Sequence, residues 1–208
     1  MSFLQQLPSF VLATFLLAII PGQGMAMVLR QVLVGGRRTG FISVLGNSTG
    51  LIVWGIASAI GLAAAFAASE MAYNILKYVG VGYLIFVALQ TLWKLRGGAS
   101  AFDMPSQGLH QTPWQAYRRG LITNLTNAKA GVFAVAFLPL FVPSDFSVGV
   151  GVAILGAVWA IVSALSYSMI IYGFHKAANR FTSPQAQRRL TIISGAGILV
   201  LALSLAIS

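Results

Sequence analysis

The chain has 208 residues, 58% of them hydrophobic and 8% Asp, Glu, Lys or Arg, with a mean hydropathy of +0.86. A soluble domain carries about 25% charged residues, so 13 Lys and Arg with 3 Asp and Glu cannot cover a surface in water. That excludes a soluble fold. Long uncharged runs indicate an all-α polytopic membrane protein, since lipid admits helices or closed barrels and a barrel would show short alternating segments instead. The absence of cysteine excludes disulfides, thiol redox chemistry and Cys-based metal sites.

A membrane helix needs about 20 largely apolar residues, and six stretches qualify in chain order. The first span is expected over Phe3–Val34, with no charge before Arg30. No Lys or Arg precedes Phe10, so this segment lacks a signal peptide's basic region and should remain as a membrane helix. A glycine-rich basic turn, Gly35-Gly36-Arg37-Arg38-Thr39-Gly40, leads to the second span over Phe41–Ala68. The third is expected over Met71–Trp93. Lys94 to Tyr117 is a long loop with Gly97, Gly98, Pro105, Gly108 and Pro113. The fourth span follows Arg119 and reaches Val142, the fifth lies within Phe146–Phe174, and the sixth is Leu190–Ser208. A basic loop is expected over His175–Arg189.

The cations give this series an orientation. Arg30, Arg37 and Arg38 flank the first loop; Lys94, Arg96, Arg118 and Arg119 the third; Lys176, Arg180, Arg188 and Arg189 the fifth. The second and fourth turns carry Glu70 and Asp145 instead. By the positive-inside rule the odd loops are cytoplasmic and both termini lie outside. The net charge of +10 thus records orientation, and nucleic acid is not an expected partner. The long loop, about 94–117, divides one transporter domain into halves, about 1–93 and 118–208. Three spans per half give the halves opposite orientations, as in many secondary transporters.

Two cations lie outside these loops. Lys77, near the outer boundary of the third span, is expected to snorkel to the interface. Lys129 lies ten residues beyond Arg119, about 15 Å along a helix, where a charge is unfavourable unless it faces a wet cavity or a partner. Asn124, Thr126, Asn127 and Gly131 surround it, and Asn and Thr are poor residues for a helix interior. Either interhelical hydrogen bonding or a local break would explain the cluster. Pro21-Gly22-Gln23-Gly24 interrupts the first span in the same way. Paired breaks at corresponding positions of two halves point to a transporter's site. In the second span Gly46 and Gly50 have the spacing of a helix-packing motif, with Asn47 on the turn between them. Asn74, Gln90, Ser163, Ser166, Tyr167 and Ser168 are weaker candidates for the cavity. No membrane-embedded carboxylate pair, His dyad or phosphate loop is present, so no enzyme site, cofactor or metal is expected.

Several motifs together resemble one family. Pro21-Gly22-Gln23-Gly24, Gly35 to Phe41, Leu45-Gly46-Asn47-Ser48-Thr49-Gly50, Lys77 to Leu84, Arg119 to Ala130 and Phe137-Leu138-Pro139-Leu140-Phe141-Val142 are similar to the signatures of the LysE/RhtB amino-acid exporters. They stand in order over nearly the whole chain. The family usually has Pro-Gly-Pro where Gln23 follows Pro21-Gly22, and Asn-Pro-Lys where Ala128 precedes Lys129; both differences remove a helix breaker and predict milder breaks.

The resemblance implies a cytoplasmic-membrane exporter of an amino acid or close derivative, driven by the proton-motive force. The expected site lies between the halves. Lys129 and N–H groups at a half-helix start would take the substrate carboxylate, and Asn124, Asn127, Gln23 and freed carbonyls the amino group. Asn47 would line the cavity. No embedded acid offers itself as a proton carrier, which favours a neutral or hydroxylated substrate over a dicationic one. A metal or inorganic-ion exporter and a non-transporting scaffold are the alternatives, and a homo-oligomer is compatible with the sequence.

Overall fold

The computed structural model describes residues 3–19, 22–69, 111–143 and 145–181, with scattered helical positions within 71–93 and 185–203. Every regular element among the described residues is helical: α1 (Phe3–Ile19), α2 (Gln23–Ala68), α3 (Pro113–Leu125), α4 (Ala128–Val132) and α5 (Val148–Phe181). A π-helical turn over Phe133–Phe137 and a 3-10 turn over Leu138–Phe141 continue α4. Pro139 explains the irregular stretch, since its ring excludes the carbonyl four residues earlier from a regular helix.

Although α2 is helical almost throughout, it is two antiparallel segments. Gly35 (φ −133°, ψ 16°) and Gly36 (φ 75°, ψ −175°) leave the helical region, and the positive φ of Gly36 suits a residue without Cβ. Beyond them the chain folds back. A Cβ placed on Gly40 would lie 2.5 Å from Val32 Cγ2, and one on Gly24 would lie 3.6 Å from Asn47 Oδ1. On an unbroken helix, residues 24 and 47 would be about 35 Å apart. The expected first and second spans therefore meet at a two-residue turn, with Arg37 to Gly40 already helical. The expected six-residue loop shrinks because one positive-φ residue suffices to reverse the direction.

Two further boundaries differ from the sequence expectation. The third loop ends earlier, at Thr112: its side chain accepts from Gln115 N at 3.3 Å, and Gln115 Oε1 accepts from Thr112 N at 3.0 Å. This capping box, with Pro113 in the first turn, starts the helix before the membrane boundary. At the other end α5 runs on to Phe181, although its apolar stretch ends at Gly173. The expected basic loop over His175–Arg189 is thus helical through residue 181. Leaving the hydrocarbon does not oblige a helix to stop when Ala177, Ala178, Lys176 and Arg180 favour its continuation.

Val148–Gly173 is long and apolar enough to cross a membrane, and Pro113–Leu125 with Ala128–Phe141, bent by 56°, make a further candidate span; Gln23–Ala65 also meets the length and composition for a span, but the reversal at Gly35–Gly36 splits it in two. The 37–68 segment of α2 lies between α3 and α5, and glycine sets the spacing on both sides. A Cβ on Gly46 would strike the Tyr117 carbonyl, and one on Gly120 the Ser43 carbonyl. Toward α5, Gly55 and Gly156 meet Cα against backbone, with a Cβ on either less than 3 Å from the other's Cα. Small residues at such crossings let backbones approach where lipid offers no hydrophobic drive to association. The bent segment is held by rings: Phe10 meets Phe141 edge to face at 5.2 Å, and Phe133 packs on Trp159 at 4.7 Å.

Gly46→Val and Gly120→Val should each lower the thermal midpoint in detergent, corresponding to roughly 1–3 kcal/mol of overpacking. Gly61→Val, whose Cβ would meet nothing within 4 Å, should leave it unchanged.

Candidate functional site

The polar cluster of the fourth span forms a break. Asn127 leaves the helical region (φ −80°, ψ 95°), and its side chain accepts from Lys129 N at 3.2 Å. Asn127 O accepts from Ala130 N and Gly131 N at 2.8 and 3.2 Å. The residue thus closes α3 and caps α4, which is how a 56° bend arises with Ala128 where a proline would be expected to enforce it. An asparagine does this because its short amide competes well for adjacent backbone groups. The break thus persists, as a bend of 56°, without that proline. Three of the N–H groups that begin the second half-helix are bonded within the break itself.

The first break differs. Gly22 is fully extended (φ −167°, ψ −169°) and heads α2 with no side-chain cap, although its carbonyl accepts from Ala26 N at 2.9 Å. Pro21 lies outside the described residues. The start of α2 therefore has no side-chain cap from Gly22 on its first N–H groups, which carry the positive end of the helix dipole.

A small pocket of about 30 Å³, partly open to the exterior, lies where the two breaks meet. Gly22 and Gly24 from the first break line it with Asn47, Asn124, Asn127 and Lys129. Gln23 is exposed and is not among the lining residues. Gly46 packs on α3 as described, and a Cβ on Gly50 would lie 2.7 Å from Asn124 Oδ1. Lys77 and Asn74 lie outside the described residues, and Gln90 is exposed.

Hydrogen bonds tie the two asparagine-bearing helices together. Asn124 Nδ2 donates to Asn47 Oδ1 at 3.1 Å, and Trp54 Nε1 donates to the Asn124 carbonyl at 3.3 Å. Asn124 is 2% and Asn47 2% exposed. Asn124 Oδ1 has no hydrogen-bond partner among the described residues. Lys129 is half-buried, and no Asp or Glu is among the residues lining the pocket. A cation, uncapped amides and spare amide oxygens thus surround one space. Such a set suits a small zwitterion: anion at the lysine and helix start, ammonium at the carbonyl oxygens.

The far wall comes from α5. Trp159, Ser163 and Tyr167 line the pocket at a spacing of four residues, on one helix face. The Tyr167 hydroxyl lies where a Cβ on Gly24 would be. Sequence reading ranked Ser163 and Tyr167 low and passed over Trp159; the recurrence of Trp, Ser and Tyr down one face was the available signal. Leu17, Leu51 and Met25 complete an apolar part of the lining.

These elements define an all-helical protein with helices long and apolar enough to cross a membrane and a polar pocket between two helix breaks. The family model for the LysE type translocator matches residues 15–208, and the chain belongs to that family. It is similar to membrane protein YrhP of Bacillus subtilis (strain 168), 24% identical over 92% of this chain and 94% of the relative. It is 31% identical to the homoserine/homoserine lactone efflux protein of Salmonella typhimurium over 64% of this chain and 63% of that protein. The leucine efflux protein of Enterobacter sp. (strain 638) is 26% identical over 79% of this chain and 77% of its own length. No solved structure matches the chain.

Asn127→Ala removes the cap at the bend and should lower stability in detergent by about 1 kcal/mol, the usual effect of losing an N-cap. Asn127→Ser, which can still accept from the Lys129 N–H, should restore most of the thermal midpoint.

Proposed function

We propose that the chain exports a small neutral amino acid, or a close derivative such as a hydroxylated one, from the cytoplasm. The observation that carries this reading is the pocket between two helix breaks, with Lys129 beside it and no acidic partner in its lining. The substrate carboxylate would sit between the Lys129 ammonium and the uncapped N–H groups at the start of α2. Its ammonium would meet Asn124 Oδ1, which has no hydrogen-bond partner, and Asn47 Oδ1, which has a lone pair beyond the one Asn124 uses. Leu17, Leu51 and Trp159 would take an aliphatic side chain, and the Ser163 and Tyr167 hydroxyls a polar one. The efflux relatives named for homoserine and leucine span those two kinds of side chain.

The fuller architecture belongs to the same proposal. The whole chain is one domain of six spans in two inverted halves, in the cytoplasmic membrane, with basic turns inside and both termini outside. Alternating access rocks the halves about the pocket, and the proton-motive force supplies the drive. The basic turn at Arg37 and Arg38 supports the orientation.

Export is read from cells fed dipeptides whose hydrolysis frees homoserine or leucine inside. Wild-type protein should speed loss of the freed amino acid, and Lys129→Met should return it to the rate of cells without the protein. Equal efflux from Lys129→Met and wild type would remove Lys129 from the mechanism. Binding has its own readout in detergent: a true substrate at about 100 times its Kd stabilises the native state by roughly 2.7 kcal/mol, visible as a raised thermal midpoint.

A further inference from the structure

Gln31 is 0% exposed, and neither its Oε1 nor its Nε2 has a hydrogen-bond partner among the described residues. It sits on the first segment of α2 at positions 24, 28 and 31 of one helical face. Gly24, on that face, meets Tyr167 and Asn47 at the pocket. Gln31 lies seven residues nearer the Gly35–Gly36 turn, about 10.5 Å along the axis. Exposed Arg30 precedes it, while Met27 and Val28 one turn back and Val32 next in sequence belong to a buried apolar cluster with Met25, Val44, Tyr167 and Ile171. A second buried cluster contains Phe10, Leu62, Phe133 and Leu155, and its Leu17, Leu51 and Trp159 line the pocket, as do Met25 and Tyr167 of the first. Two apolar clusters therefore border the pocket, and the buried amide of Gln31 stands on the helix that carries Met27, Val28 and Val32 of the one nearer the basic turn.

A leucine or methionine would fill the same volume without desolvating two polar atoms. The amide opposes the packing it sits in. It regains hydrogen bonds when Val28, Val32, Val44 and Ile171 separate and the face carrying Gly24 and Gln31 becomes wet. We infer that the turn-side cluster is an inner gate, closed in this structure, and that Gln31 is the polar station where an amino-acid-like zwitterion is met on its way from the cytoplasm to the pocket. This rests on the export reading. The exposed guanidinium groups of Arg30, Arg37 and Arg38 surround the same end and would draw the carboxylate toward it.

The chain has no cysteine, so Val28→Cys provides a single thiol inside the gate. In inverted membrane vesicles, a small cationic thiol reagent should label Cys at 28 from the cytoplasmic face without any substrate. Adding Gln31→Leu should slow labelling about tenfold, because removing an unpartnered buried polar group favours the closed state by roughly that factor. Gln31→Leu alone should raise the thermal midpoint and reduce export from dipeptide-fed cells. Unchanged or faster labelling in the double variant overturns the gate. A lower midpoint for Gln31→Leu overturns it as well, because the amide would then have a partner that the fold needs. Slower labelling with full export overturns the station on the substrate path. Labelling needs no substrate, so it tests the gate even if the cargo is something else. Failure of the export reading would show in the Lys129→Met comparison, with labelling intact.

Discussion

The close crossing of the 37–68 segment with α3 is the contact on which the site depends. Gly46 and Gly120 bring each backbone against a carbonyl of the other helix. At that separation Asn47 and Asn124 can share a hydrogen bond, and Trp54 can reach the Asn124 carbonyl. A larger residue at either glycine would push the helices apart by more than a hydrogen bond tolerates. In lipid, where apolar side chains gain little by leaving the solvent, small residues and interhelical amides are what hold two helices in register. Asn47 and Asn124 are therefore both lining and fastening.

The two breaks solve one problem by different means. A helix interrupted within the membrane must find partners for the backbone groups it frees. After α3 the Asn127 amide supplies one, and its carbonyl supplies more, so the interruption is self-contained. Before α2 the head residue is Gly22, which has no side chain to offer. The positive end of that helix is left for whatever enters the pocket. In the proposed site this asymmetry favours placing a substrate carboxylate at the α2 start and Lys129 together, rather than at the half-helix on which Lys129 itself sits.

Apolar packing on both sides gives the pocket its setting. Rings from α1, the bent fourth segment and α5 close one side, and aliphatic residues near the basic turn close the other. A polar site held between two dry plugs strengthens its own electrostatics, because few waters compete with Lys129 and the amides. In the proposed cycle one plug would part at a time, and the buried amide of Gln31 would weaken the plug nearer the Gly35–Gly36 turn.

Much of this was legible from residue order. Sparse charge fixed the membrane class, since hydrocarbon excludes what water requires. Gly35-Gly36 announced the turn, and Asn124 to Gly131 with Pro21 to Gly24 announced the two interruptions, because those residue types are poor inside helices. The early start of α3 was written as Thr112-Pro113 with Gln115, a local capping signal. The continuation of α5 to Phe181 was hidden because hydropathy reports where lipid ends, which need not be where a helix ends. Only the tertiary structure decided that Gly24 faces Tyr167, that Trp159 and Ser163 complete the wall, that Gln23 points elsewhere, and that Gln31 is buried without a partner. Those facts depend on which helix faces meet, and in a chain this uniformly apolar the hydrophobic pattern does not distinguish a face turned to lipid from one turned to another helix.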